Sequence, residues 1–171
     1  MNHFKFKQIF LLLAISGTFF VSCTKTQKNE ATEEAPIVAN TEDLSKQDTI
    51  KITLNSNDKM QYDLSEIDVY EGQTVILTLH HKGTMPKAAM GHNFVLLTQG
   101  TEISTFANDA VKASDNGYIP TDKTNIIANT ELIGGGETTE VTFNAPIKGT
   151  YDFLCSFPGH YSIMKGKFNV K

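Results

Sequence analysis

From Thr49 onward the chain alternates apolar and polar residues with a period of two. Ile50-Lys51-Ile52-Thr53-Leu54 puts three aliphatic side chains on one face, the pattern of a half-buried strand. Thr74 to His80 is β-branched and apolar and follows a Glu71-Gly72 turn signal, which predicts a second strand. Asn93 to Leu97, Glu140 to Phe143, Gly149 to Leu154 and Lys167 to Val170 predict four more. Lys82-Gly83, Gly134 to Gly136, and Pro146 ahead of Lys148-Gly149 supply the turn chemistry between them. One stretch departs from the period: Thr101 to Ala113 carries Ile103, Phe106, Ala107, Ala110 and Val111 at helical spacing. That spacing predicts a short helix capped by Thr101 or Ser104. Short strands joined by turns predict an all-β fold, a Greek-key sandwich or barrel with one short helical insertion.

The first third reads differently. Lys5 and Lys7 precede an apolar run, Ile9 to Val21, that is short for a membrane span. It closes on Phe20-Val21-Ser22-Cys23, and a small residue directly before a cysteine resembles a bacterial lipobox. The expected organisation is a lipoprotein signal peptide over 1–22, a lipidated Cys23 with a tether over 23–48, and a folded domain over 49–171. An ordinary signal peptide with an incidental cysteine is the plainer reading, and Phe20 stands where lipoboxes usually carry Leu. Thr24 to Asp48 is polar and charged, with one Pro and no aromatic residue, so it is expected to be a disordered tether. A flexible chain of that length reaches roughly 25–30 Å.

With Cys23 assigned to lipid, Cys155 is the remaining cysteine, a lone thiol in an exported chain. Oxidising compartments consume free thiols, so metal ligation gives it a reason to exist. Without Met1 to Ser22, the chain holds 13 Lys against 19 acidic residues and no Arg. The missing guanidinium groups exclude nucleic acid as an expected partner.

The chemistry concentrates in Cys155-Ser156-Phe157-Pro158-Gly159-His160-Tyr161-Ser162-Ile163-Met164. A thiol, an imidazole and a thioether hang on one loop between two predicted strands, and Pro158-Gly159 turns His160 back toward Cys155. A cysteine, two histidines and a distant methionine form the ligand set of blue copper. The loop lacks one histidine; His92, in Met90-Gly91-His92-Asn93, is the candidate for it. Singly, Met164 reads as core filler and His92 as a satisfied polar residue. Together, the four residues point to one copper ion.

With both segments in view, the chain resembles azurin, a family of cupredoxins that carry single electrons in the bacterial periplasm. The matching stretches are Asn57 to Tyr62, Met85-Pro86-Lys87, Met90 to Asn93, Thr130 to Gly134 with Gly136-Glu137, and Cys155 to Gly166. The resemblance implies a cupredoxin β-sandwich and a Gly91 backbone carbonyl beside the metal. It also implies that Asn93 ties the two ligand loops together. Ser156 beside Cys155 is expected to steady the sulfur, with Phe157 and Met90 keeping the site dry. Met85, Met90, Pro158, Gly159 and Ile163 are expected to form an apolar docking patch around His160, the route for electrons, with His92 buried. Partners implied are redox proteins such as c-type cytochromes or copper or haem reductases, and the membrane through Cys23. Thr24 after Cys23 lacks the Asp that often marks inner-membrane retention, which favours the outer membrane. The family's usual disulfide positions fall on Ile50 and Gly72, so that bridge is absent. His81 falls where the family often has a histidine near the metal; it reads equally as redox-linked or as structurally hydrogen-bonded. Phe94 stands in place of a core Trp, and Asn129 in place of a surface histidine.

Other functions weigh less. A periplasmic copper storage or delivery protein would favour exposed, exchangeable Met- or Cys-rich ligands. A thiol hydrolase needs an oxyanion site that no segment supplies. A copper oxidase or nitrite reductase needs a second open copper site, and only His80 and His81 are left over in the domain. Zinc gains little from Met164. The expectation is an electron carrier without substrate turnover of its own.

Overall fold

The computed structural model describes Ser45 and residues 47–171, so the signal peptide, the Cys23 lipidation site and most of the tether lie outside the described residues. Among the described residues, nine strands make two sheets. They are β1 (Thr49–Asn57), β2 (Gln61–Tyr62), β3 (Glu66–Val69), β4 (Thr74–His81), β5 (Val95–Leu97), β6 (Ile126–Asn129), β7 (Thr138–Asn144), β8 (Gly149–Leu154) and β9 (Lys165–Val170). One sheet runs β2-β1-β4-β7 and the other β3-β9-β8-β5-β6. β1 pairs parallel with β4 and β3 parallel with β9; the remaining pairings are antiparallel. The all-β sandwich expected from the alternation is the observed architecture. Pairing begins just before Thr49, since Asp48 O accepts from Thr74 N–H at 2.8 Å and Gln47 O from Gln73 Nε2 at 2.7 Å.

The alternation is the cause of the layering. Ile50, Ile52 and Leu54 of β1 face Val75, Leu77 and Leu79 of β4 on one inner surface, and meet Phe94, Leu96, Tyr151, Phe153, Phe168 and Val170 of the other sheet. Leu54, Leu77, Leu79, Phe153 and Phe168 are fully buried, so truncating one, as in Leu77→Ala, costs about 2–5 kcal/mol. β5 is buried on both faces. Its outward Val95 and Leu97 are covered by Phe106 and Ala110 of helix α2 (Ile103–Val111), with Ile119 and Leu154 completing the cluster. A one-turn helix, α1 (Lys87–Met90), lies in the β4–β5 connection.

The helix cap is a correction to the sequence reading. Neither Thr101 nor Ser104 caps α2; the Glu102 carboxylate accepts from the N–H groups of Ser104 (3.0 Å) and Thr105 (3.1 Å). A carboxylate also matches the positive end of the helix, where a hydroxyl carries no charge. Cys155 is a free, buried cysteine.

Candidate metal centre

The site forms where the inward rows of the sheet run out. Tyr151 and Phe153 of β8 point into the core, and Cys155 is the next residue of that parity. Phe94 and Leu96 point inward around β5, and His92 precedes them by the same step of two. Phe168 and Val170 do so in β9, and Met164 lies on that row beyond Gly166. The centre is therefore the last layer of the core, with ligating atoms replacing methyl groups.

Position and burial follow from this. His92, Cys155 and Met164 have no exposure and His160 only 3%. The donor atoms of His92, Cys155 and His160 all lie within 4.8 Å of one another. Cys155 Sγ is 3.8 Å from His92 Nδ1, 3.6 Å from His160 Nδ1 and 3.9 Å from the Gly91 carbonyl oxygen. Met164 packs against Cys155 and Phe157 in one buried cluster. The ligand loop is closed by its own backbone: Cys155 N–H donates to Met164 O (3.0 Å), and Met164 N–H to His160 O (2.8 Å). Gly159 sits at φ +82°, the left-handed region that a turn here requires. Gly91 admits no side chain, because a Cβ would stand 2.6 Å from Lys87 O and 3.0 Å from the Phe157 ring.

The protonation states suit a soft cation. His92 Nε2–H donates to Asn57 O at 2.9 Å, which leaves the Nδ1 lone pair facing the sulfur. Burial lowers the pKa of His92 and of His160 to about 4, so both rings are neutral at pH 7. Burial pushes the Cys155 thiol up to about 12, so the metal-free site keeps its proton and a bound cation replaces it. Two neutral imidazoles and a displaceable thiol proton are the donor chemistry that copper takes.

A second layer fixes the ligands. Asn93 Oδ1 accepts from Ser156 N–H at 2.9 Å, and Asn93 Nδ2 donates to Ser156 Oγ (2.8 Å) and Gly117 O (3.1 Å). Ser156 Oγ–H in turn reaches Tyr118 O at 2.7 Å. One buried amide thus joins the His92 strand to the Cys155 loop. Phe157 lies edge-on to Tyr118 at 5.1 Å and 4.7 Å from the His160 ring, closing the site to water. His81 continues the inward row of β4, 1% exposed and 4.3 Å ring to ring from His92. Gly83 N–H donates to its Nδ1 (3.0 Å), so Nε2 carries the proton to Met90 O (2.9 Å). It lies beside the metal cluster, with both ring nitrogens engaged by backbone.

The residues expected to form the docking patch differ in exposure. Met85 is 37% and Ile163 59% exposed, Gly159 is exposed, and Met90 and Pro158 are half-buried. Pro86, Ala88 and Ala89 are exposed as well. Sequence reasoning missed Asn57, which fixes His92 through a backbone carbonyl that any residue type would offer. It also assigned no role to Tyr62, whose hydroxyl donates to the Asn93 carbonyl and whose ring packs against the Cys155 cluster. Asp58 was missed too; its carboxylate accepts from the N–H groups of Thr84 (2.8 Å) and Met85 (3.2 Å) and holds the loop under the patch.

Comparison with known proteins agrees with the geometry. The family model described as copper binding proteins of the plastocyanin/azurin family matches residues 48–171. Azurin of Pseudomonas fluorescens biotype C is 41% identical over 126 residues, covering 71% of this chain and 98% of that protein. Outer membrane protein H.8 of Neisseria gonorrhoeae is 40% identical over 122 residues, and the match spans 69% of this chain and 66% of that protein. The solved structure of auracyanin A, described as a "blue" copper protein from Chloroflexus aurantiacus, superposes with a TM-score of 0.67 at 37% identity. It covers 72% of this chain and 99% of its own. With the fold, the clustered donors and the matched length in agreement, the chain belongs to the copper-binding plastocyanin/azurin family.

Proposed function

We propose that His92, Cys155 and His160 hold one copper ion, that Met164 and the Gly91 carbonyl complete its surroundings, and that the domain shuttles single electrons between redox proteins of the bacterial cell envelope. Bound copper supplies a one-electron Cu(I)/Cu(II) couple. The protein's own contribution is to hold two neutral rings and a sulfur in place by backbone and amide hydrogen bonds, so that little rearranges between the two states. The observation that carries this reading is the meeting of three buried donor atoms within 4.8 Å. A site this closed suits electron transfer better than storage or delivery of the ion, which calls for ligand exchange. It is also poorly suited to turnover of a substrate.

Electrons enter and leave over His160, where Met85, Met90, Pro158, Gly159 and Ile163 form an apolar surface for brief complexes. Such partners are redox proteins, c-type cytochromes or copper or haem reductases among them. Export through Met1–Ser22 and lipidation at Cys23 hold the domain on a membrane, the outer one favoured. A relative described as an outer membrane protein supports that location. The test is the visible spectrum of the copper-loaded chain against that of Cys155→Ser. An intense thiolate-to-copper band, absent in the variant, is expected; a colourless parent defeats the proposal. Repeated oxidation and reduction without loss of copper separates a carrier from a delivery protein.

A further inference from the structure

A groove opens beside β2, next to the His160 surface, with which it shares Ile163. Tyr62 and Ile163 line it together with Lys82, Lys165, Asp63 and Asn55. Its lining carries two lysines and one carboxylate. Residues 47–171 carry 10 Lys against 14 Asp and Glu. Lys87, Lys112, Lys167 and Lys171 are each paired with a carboxylate. Lys82 and Lys165 are exposed and have no ion pair among the described residues. The carboxylate of the lining, Asp63, has both oxygens occupied by the Asn55 N–H (2.8 Å) and Nδ2 (2.6 Å). The groove therefore presents two ammonium groups against one hydrogen-bonded carboxylate, a net positive spot on an acidic body.

The groove is also electronically close to the centre. Tyr62 donates from its hydroxyl to the carbonyl of Asn93, the residue after His92, and its ring packs in the cluster of Cys155, Phe157 and Met164. Tyr62 thus links the groove to the cluster of residues that contains the sulfur. Building on the electron-carrier reading, we propose that this groove is a second docking face, for a redox protein whose electron port is ringed by carboxylates. Two lysines steer such a partner into a weak encounter, and Tyr62 supplies the contact through which the electron couples to the site. A membrane surface fits less well, since stable attraction to anionic lipid takes clusters of four to eight basic residues.

The copper-loaded full chain is mixed with hexacyanoferrate(II), a tetraanion, and separately with hexaammineruthenium(II), a dication, across a range of ionic strength. The chain's formal charge is −4, so whole-molecule repulsion makes the hexacyanoferrate rate rise with salt. Docking in the groove makes it fall instead. Lys82→Glu with Lys165→Glu is expected to slow that reaction about tenfold at low salt, to reverse its salt dependence, and to speed the ruthenium reaction. Lys51→Glu with Lys148→Glu changes net charge equally and is expected to leave the falling salt dependence in place. A parent rate that rises with salt, or equal effects of the two pairs, overturns the docking face while leaving a coloured, electron-accepting protein. A chain that stays colourless and takes electrons from neither probe fails at the electron-carrier reading. Binding to phosphatidylglycerol vesicles that is lost in the Lys82/Lys165 pair, with unchanged hexacyanoferrate rates, assigns the groove to a membrane and overturns the proposal.

Discussion

The two histidines of the centre are held in different ways. His92 is built into the sandwich: it exchanges both backbone hydrogen bonds with Ile133 (2.9 and 2.8 Å), and its Nε2–H is fixed by Asn57 O. Three separate stretches of chain therefore agree on where that ring lies. His160 belongs to a loop that closes on itself, through His160 N–H to Phe157 O (3.0 Å) and Met164 N–H to His160 O. Its ring is oriented by packing on Phe157 and the neighbouring His92. One half of the site is thus a property of the sheet and the other a property of a ten-residue loop. A carrier needs both, a fixed reference for the metal and a ligand near the surface that a partner approaches.

The largest expected effect tests this difference directly. His92→Ala opens a fully buried cavity and strips Asn57 O of its donor, costing the metal-free protein about 4 kcal/mol. His160→Ala removes a ring at the edge of the core that has no backbone bond to its far nitrogen, and costs about 1–2 kcal/mol. Urea unfolding of the two apo-proteins measures both. Equal losses would mean the loop is anchored as firmly as the sheet, and the contrast between the halves would be gone.

The next effect belongs to the bond between the halves. Asn93→Ala leaves Ser156 N–H and Gly117 O without their partner in a buried place, which costs about 2–3 kcal/mol by the same unfolding measurement. Because the amide joins the two loops, the variant is also expected to shift the reduction potential in voltammetry while its visible band persists. A potential equal to that of the parent would show that the loops keep their spacing without the amide.

The unequal anchoring also explains what could be read from the sequence. His160 and Met164 were legible because their spacing from Cys155 is local, and a turn with Pro158-Gly159 leaves few places for them. His92 required a partner 63 residues away, and it was legible as the histidine that the ligand set lacked, strengthened by the family resemblance, and not through any periodicity. Its support was not legible: Asn57 acts through a carbonyl, and Ile133 through a backbone bridge that carries no side-chain signature. Strand β3 escaped because Glu66 and Asp68 dilute its two inward residues, Ile67 and Val69. β6 escaped because its adjacent isoleucines do not alternate, which matches the register shift opposite Leu96 and Leu97. The Glu102 cap was missed because a hydroxyl on either side looked sufficient.

The smallest effect lies wholly within the loop. Ser162 Oγ–H reaches Gly159 O at 3.3 Å on the exposed side of the turn, and water can replace it on both sides. Ser162→Ala is expected to change stability by less than about 0.5 kcal/mol, the range of ordinary surface substitutions. If the loop holds His160 through packing on Phe157 and its own backbone bonds, this variant keeps the parent's spectrum and potential. A potential that moves with Ser162→Ala as far as with Asn93→Ala would mean that the surface of the turn, and not the buried amide, sets the position of His160.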